Sequence, residues 1–145
     1  MHVLHVISGL WKHTGGPAES TPGLCTALVQ AGCEVTLATL DGPMAETVWT
    51  SQAAGVNVRL FRPNWRHTIY YSWEMARGLP TLARRVDIVH VHGLWEHPMW
   101  LGCRLARRFG KPLVITPRGS LEPVRLKKSR WKKTLVSSLI DNRNL

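Results

Sequence analysis

The chain has 145 residues, enough for one domain with a buried core, and its hydrophobic content of 44% excludes wholesale disorder. A formal net charge of +10 predicts attraction to polyanions such as nucleotides, anionic lipids or nucleic acid. No segment approaches the roughly 18 consecutive apolar residues of a membrane span, and the first ten residues lack the basic start of a signal peptide. Cys25, Cys33 and Cys103 show no paired spacing, which favours a reduced, cytoplasmic location over a disulfide-built secreted protein.

Strand and helix patterns alternate along the chain. In chain order, the predicted elements are a strand at 3–7, a helix at 17–31, a strand at 34–39, a helix at 45–54, a strand at 56–61, a helix at 69–85, a strand at 87–91, a helix at 98–109, a strand at 113–116 and a basic helix from about 124. Gly78 and Pro80 predict a break in the helix at 69–85. The alternation predicts an α/β fold, an open parallel sheet of about five strands with helices on both faces.

Three of the strands end in glycine and polar residues, at the edge where open parallel sheets bind ligands. The first strand leads through a loop to Gly15 and Gly16, directly before a predicted helix. Paired glycines let backbone N–H groups approach a phosphate, and the helix dipole favours an anion there. A plain turn is the alternative, because neither GxGxxG nor GxxxxGK[ST] is present.

His90 and His92 alternate on the fourth strand, so both side chains point to the same face. One interpretation is a metal pair completed by His97 or Glu96, but no zinc signature such as HExxH supports it, and we predict no metal and no other cofactor. We assign His92, beside Gly93, to a ligand cleft as a hydrogen-bonding or proton-handling group. We assign His90 a structural role.

Arg118 lies on a short loop after the fifth strand, where it could hold a phosphate or carboxylate through two parallel hydrogen bonds. Pairing with Glu122 is the alternative, and Glu122 is itself a candidate contact for a sugar or an acceptor. Trp11, Trp95 and Trp100 lie in or near the same loops, and an indole face can support a sugar ring or an acceptor, although core packing is equally ordinary.

The region after the fifth strand is strongly basic. It carries six cations without an acidic residue: Arg125, Lys127, Lys128, Arg130, Lys132 and Lys133. A solvated helix, contact with an anionic membrane and contact with nucleic acid are the alternatives. Nucleic acid is disfavoured because no RRM, KH or helix-turn-helix pattern accompanies the charge. Hydrolase chemistry is disfavoured too, since no GxSxG motif, DxD motif or pair of suitably spaced carboxylates occurs.

Taken together, these segments resemble the N-terminal domain of family 4 glycosyltransferases of GT-B architecture. The resemblance rests on HVISGL followed by GGPAE, on CEVTLATL, on DIVHVHGLW, and on PLVITPRGSLEPV with RWKK beyond it. These segments follow one another over nearly the whole chain, and their combination is far more specific than any one motif.

The resemblance implies a Rossmann-like fold and a retaining, metal-independent transfer of sugar from a nucleotide-sugar donor to a polysaccharide or lipid-linked acceptor. It places Gly15 and Gly16 at the donor diphosphate, His92 beside the transferred sugar and Arg118 in the cleft. It also raises the expectation that the basic stretch docks on the inner face of a membrane.

The resemblance also predicts what this chain lacks. Residues 1–145 form a single, truncated acceptor-side domain, and the C-terminal domain that would bind the nucleotide sugar is absent. An acceptor-side domain on its own would leave the donor open to water, so the chain alone is expected to be inactive. The alternative function is a non-catalytic binding module or one subunit of a split transferase.

Overall fold

The structure is a computed structural model that describes residues 1–11, 15–42, 55–64 and 69–119. Its elements alternate as the sequence predicts: β1 (His2–Ile7), α1 (Gly16–Gln30), β2 (Glu34–Leu40), β3 (Val56–Phe61), α2 (Trp73–Arg85), β4 (Ile88–His92), α3 (His97–Arg108) and β5 (Leu113–Thr116). The helices predicted at 45–54 and beyond 124 lie outside the described residues.

The strands form one parallel sheet in the order β3-β2-β1-β4-β5. The α/β prediction is therefore confirmed. β1 lies at the centre and pairs with β2 on one side and β4 on the other, with His5 opposite His90 and Ile7 opposite His92. Because parallel neighbours in this register point the same way, His5, His90 and His92 share one face of the sheet.

Helices cover both faces of the sheet. On one face, Leu4 and Val6 of β1 pack with buried side chains of α2 and α3, such as Leu79 and Leu105. On the other face, Cys25 of α1 packs against Ile7 and the second strand. The histidines therefore lie on the face that α1 covers.

The helix predicted at 69–85 differs from the structure in two respects. It begins only at Trp73, because the buried Ser72 caps it: the Ser72 hydroxyl accepts a hydrogen bond from the Met75 N–H at 3.0 Å. It also continues through Gly78 and Pro80, so the predicted break is wrong. A side chain at Gly78 would meet the Phe61 ring at 2.7 Å, so this glycine serves close helix–sheet packing.

Cys25, Cys33 and Cys103 are free thiols. None of the helices in the described residues is both long enough and apolar enough to cross a bilayer.

Candidate functional site

The sheet order creates a crevice between β1 and β4. The connection after β1 leads to α1 on one face, and the connection after β4 leads to α3 on the opposite face. Helices that leave two neighbouring strands in opposite directions leave a gap at the carboxyl ends of those strands, and ligands of open α/β domains bind there. The loops after β1, β4 and β5 are therefore the first place to seek a site.

Backbone strain is concentrated at the same edge. Among the described residues, three that are not glycine have a positive φ: Tyr70 at 51°, Trp95 at 71° and Arg118 at 52°. They lie in the loop before α2, the loop after β4 and the loop after β5. Bulky side chains in the left-handed region cost of order 1–3 kcal/mol each and cluster at functional sites. The strain therefore supports the location that the topology indicates.

Arg118 is the residue that connects the loops at this edge. Its Nε and one terminal nitrogen lie 3.3 and 3.1 Å from Nδ1 of His92. Its other terminal nitrogen donates to the Ser20 hydroxyl at 2.8 Å, and the terminal nitrogen that contacts His92 also donates to the Thr21 hydroxyl at 3.2 Å. One guanidinium thus links β5, β4 and the second turn of α1.

The glycine pair joins this network through Ser20. Besides accepting from Arg118, the Ser20 hydroxyl donates to the carbonyl oxygen of Gly16 at 2.7 Å. Gly15 is the N-terminal flanking residue of α1, with φ 67° and ψ −141°, a conformation suited to glycine. A side chain at Gly15 or Gly16 would meet no described atom within 4 Å, so open space adjoins both residues.

Three histidines lie beneath Arg118. The rings of His90 and His92 stack at 4.1 Å between centroids, and His5 lies 4.9 and 5.2 Å from them. Nδ1 of His5 is 2.9 Å from Nε2 of His92, while Nε2 of His90 is 2.7 Å from the Thr116 hydroxyl. His5 is fully buried and His92 is 2% exposed. Sequence reasoning missed His5, which needs the pairing of β1 with β4 to reach the cluster.

All three histidines are held neutral. Burial, the neighbouring histidines and the Arg118 charge lower the pKa of His92 to about 2. Burial, followed by the charges of His90 and Arg118, lowers the pKa of His5 to about 4, and burial and Arg118 also lower the pKa of His90. General acid–base catalysis needs a pKa near the working pH. The lowered pKa keeps His92 neutral, a form suited to hydrogen bonding, and its role in handling a proton stays a prediction.

The same three histidines have the spacing of a metal site, since one ligand atom of each lies within 4.8 Å of the others. This group contains His5 in place of the His97 or Glu96 considered from the sequence. A neutral histidine that binds a metal through Nε2 carries a proton on Nδ1, and a metal-bound histidine normally donates that proton to an acceptor. In this structure Nδ1 of His92 instead accepts from Arg118. A metal on His92 would therefore require Arg118 to move away.

The tryptophans predicted to contact a sugar or acceptor occupy different environments. Trp11 is 3% exposed, and its ring fills the space where Gly9 and Gly42 would otherwise carry side chains. Trp95 is half-buried on the strained loop after β4, and its indole N–H has no partner within the described ranges. Trp100 stacks under Arg104, with 5.3 Å from the guanidinium carbon to the ring centroid. Their contacts with substrate stay predictions, and Glu122 and the six cations at 125–133 lie outside the described residues.

The fold and this edge place the chain in a class, the open parallel α/β domains with a ligand crevice at the strand carboxyl ends. A family model described as a glycosyl transferase 4-like domain matches residues 15–144. The chain therefore belongs to the glycosyl transferase 4-like family, and the resemblance drawn from its motifs is confirmed. Among curated proteins no relative matches it. Membership implies a sugar donor and an acceptor for that sugar as substrates.

Proposed function

We propose that this chain is the acceptor-side, N-terminal domain of a GT-B glycosyltransferase. It works by retaining, metal-independent transfer from a nucleotide-sugar donor to a polysaccharide or lipid-linked acceptor. The observation that carries this proposal is the anchoring of Arg118 between His92 and the start of α1, next to Gly15 and Gly16.

This arrangement suits a diphosphate. The free N–H groups at a helix start and the helix dipole attract an anion, and a guanidinium adds a full positive charge with directed donors. The terminal nitrogen of Arg118 that donates to Ser20 carries two N–H groups, and the contact with Ser20 uses one of them. Within the described residues, the second N–H is therefore left to donate to a ligand. Ser20 connects the arginine to the Gly16 backbone, so both anion-binding elements are held together.

The proposal requires a second domain. One wall of the cleft binds a donor weakly and leaves the sugar open to water. We propose that a second α/β domain, on the same polypeptide or on a separate subunit, supplies most contacts to the nucleotide. A binding module or a subunit of a split transferase is the alternative. Gel filtration with a nucleotide-binding partner separates the cases, since only a split enzyme forms a complex with restored transfer activity.

We further propose a cytoplasmic location with peripheral contact at the inner face of an anionic membrane. The support is the net charge of +10 and the six cations at 125–133, a stretch without an acidic residue. Sedimentation with vesicles tests this contact. Binding should require anionic lipid and fall with salt, whereas equal binding to neutral vesicles would contradict it.

The donor site is tested by calorimetric titration with a panel of nucleoside diphosphate sugars and with inorganic pyrophosphate. Loss of a hydrogen bond from a charged donor costs about 1.5–3 kcal/mol, so Arg118→Gln should weaken binding by about tenfold or more. Gly16→Ala should also weaken binding while leaving stability unchanged, because its side chain would enter the open space where the phosphate is placed.

The matched control is Arg77→Gln, which removes an equal charge from the exposed surface of α2, on the opposite face of the sheet. It should leave affinity within about twofold. Equal losses in Arg118→Gln and Arg77→Gln would reduce the effect to net charge and remove the proposed donor site.

A further inference from the structure

His5 touches no open cleft, yet it is the buried end of the network that holds Arg118. It is fully buried on the central strand, and its Nδ1 is hydrogen-bonded with Nε2 of His92. The role of His5 follows from which atom donates and which accepts in each hydrogen bond of this network, and the chemistry of arginine and imidazole determines that direction.

An arginine side chain has only donors, so the contact between Arg118 and His92 requires a bare Nδ1 on His92. A neutral imidazole with a bare Nδ1 carries its proton on Nε2. That proton points at Nδ1 of His5, 2.9 Å away, which must therefore be bare as well. His5 then carries its own proton on Nε2, an atom that is buried without a partner among the described side chains and backbone.

We propose that His5 is a positioning residue: its Nδ1 accepts the hydrogen bond of the buried His92 Nε2–H and so holds the His92 ring with Nδ1 facing Arg118. The chain of hydrogen bonds runs in one direction, from Arg118 to His92 to His5. The proposal rests on the proposed function only for its effect on ligand binding. The protonation pattern itself is independent of any ligand.

The alternative arrangements explain why His5 matters. With an apolar side chain at position 5, the His92 Nε2–H would be a buried donor without an acceptor, which is costly. Turning the ring to find another acceptor would remove Nδ1 from Arg118. The guanidinium would then keep only its contacts with Ser20 and Thr21, and it would no longer be tied to β4.

The decisive measurement is the tautomer of each histidine in the full chain, read from long-range ¹H–¹⁵N correlation spectra. We expect protons on Nε2 and bare Nδ1 atoms on both His5 and His92, from about pH 8 down to about pH 5. A proton on Nδ1 of His92, or a rapid exchange between its two tautomers, would overturn the proposal. This result stands whether or not a nucleotide sugar binds.

Two substitutions separate hydrogen bonding from packing. His5→Asn keeps an acceptor oxygen near the position of Nδ1, whereas His5→Leu keeps a similar volume without one. We expect His5→Leu to weaken binding of the nucleoside diphosphate sugar identified for the wild-type chain by about tenfold, and His5→Asn to restore most of it. Equal loss in both variants, with unchanged His92 tautomers, would show that His5 acts through packing alone. If His5→Leu fails to fold, the tautomers of His5 and His92 in the wild-type chain still test the positioning role.

The rival role for this cluster is metal binding, which Co²⁺ alone can probe. The proposal predicts no visible ligand-field absorption on addition of Co²⁺ and no change in the His92 tautomer. A tetrahedral Co²⁺ spectrum that disappears in His5→Leu would identify a metal site and overturn the positioning role.

Discussion

Mild acid should destabilise this domain through its buried histidines. The folded-state pKa values of His92 and His5 are about 2 and about 4, against an ordinary value of 6.5. At a pH between the folded-state pKa and the ordinary pKa, each of these histidines is protonated in the unfolded chain and neutral in the folded chain. The contribution of the neutral histidines to the free energy of unfolding is therefore complete above the ordinary pKa, and it is lost as the pH falls below that pKa.

The magnitude follows from linkage. At about pH 5 each unfolded histidine lies about 1.5 units below its pKa while the folded one is still neutral, a loss of about 2 kcal/mol per group. His5 and His92 together cost about 4 kcal/mol, a large share of the roughly 5–15 kcal/mol that stabilises a typical domain. Ordinary carboxyl groups titrate near pH 4, below most of this window.

Urea unfolding followed by tryptophan fluorescence at about pH 7 and about pH 5 measures the difference. In His5→Asn the difference should fall by about 2 kcal/mol, because the side chain at position 5 no longer titrates. A wild-type difference below about 1 kcal/mol would refute the reasoning, because it would mean that the histidines accept protons in the folded state.

Two further substitutions test packing and capping. Gly102→Ala should lower the free energy of unfolding by about 1–3 kcal/mol, because the added carbon would lie 2.7 Å from a methyl group of the buried Val91; urea midpoints within error of wild type would contradict this close approach. Ser72→Ala should cost about 1–2 kcal/mol by removing the cap on Met75 and the donor to the Arg62 carbonyl, and Ser72→Thr should recover part of it in thermal unfolding. An unchanged melting temperature in Ser72→Ala would show that water replaces both bonds.

The sequence predicted the elements well, because strands and helices leave local patterns. The five described strands are rich in β-branched residues, and no end of a predicted strand differs from the structure by more than one residue. The start of α2 was misplaced by four residues because Ser72 caps it only when buried against the Arg62 carbonyl, a contact that no local pattern shows.

The candidate site was predicted in part. His92, Arg118 and Gly16 were each found from local chemistry, and the structure joins them through Ser20. Their mutual contacts depend on the strand order, which the sequence did not predict. Nor did the sequence predict the packing of Trp11, because its ring lies against Gly9 and Gly42, which are far apart in the chain.

The central position of β1 has a consequence for synthesis on the ribosome. β1 is synthesised before both of its neighbours: β2 follows within the next 40 residues, whereas β4 is complete only at His92. At about 5–20 residues per second, the β4 side of β1 waits for several seconds without its partner. An unpaired strand edge invites aggregation, and a polar side chain within it opposes that. His5 lies on this strand, and its hydrogen-bond partner His92 is synthesised only with β4, so the histidine cluster forms when the sheet is completed on that side of β1.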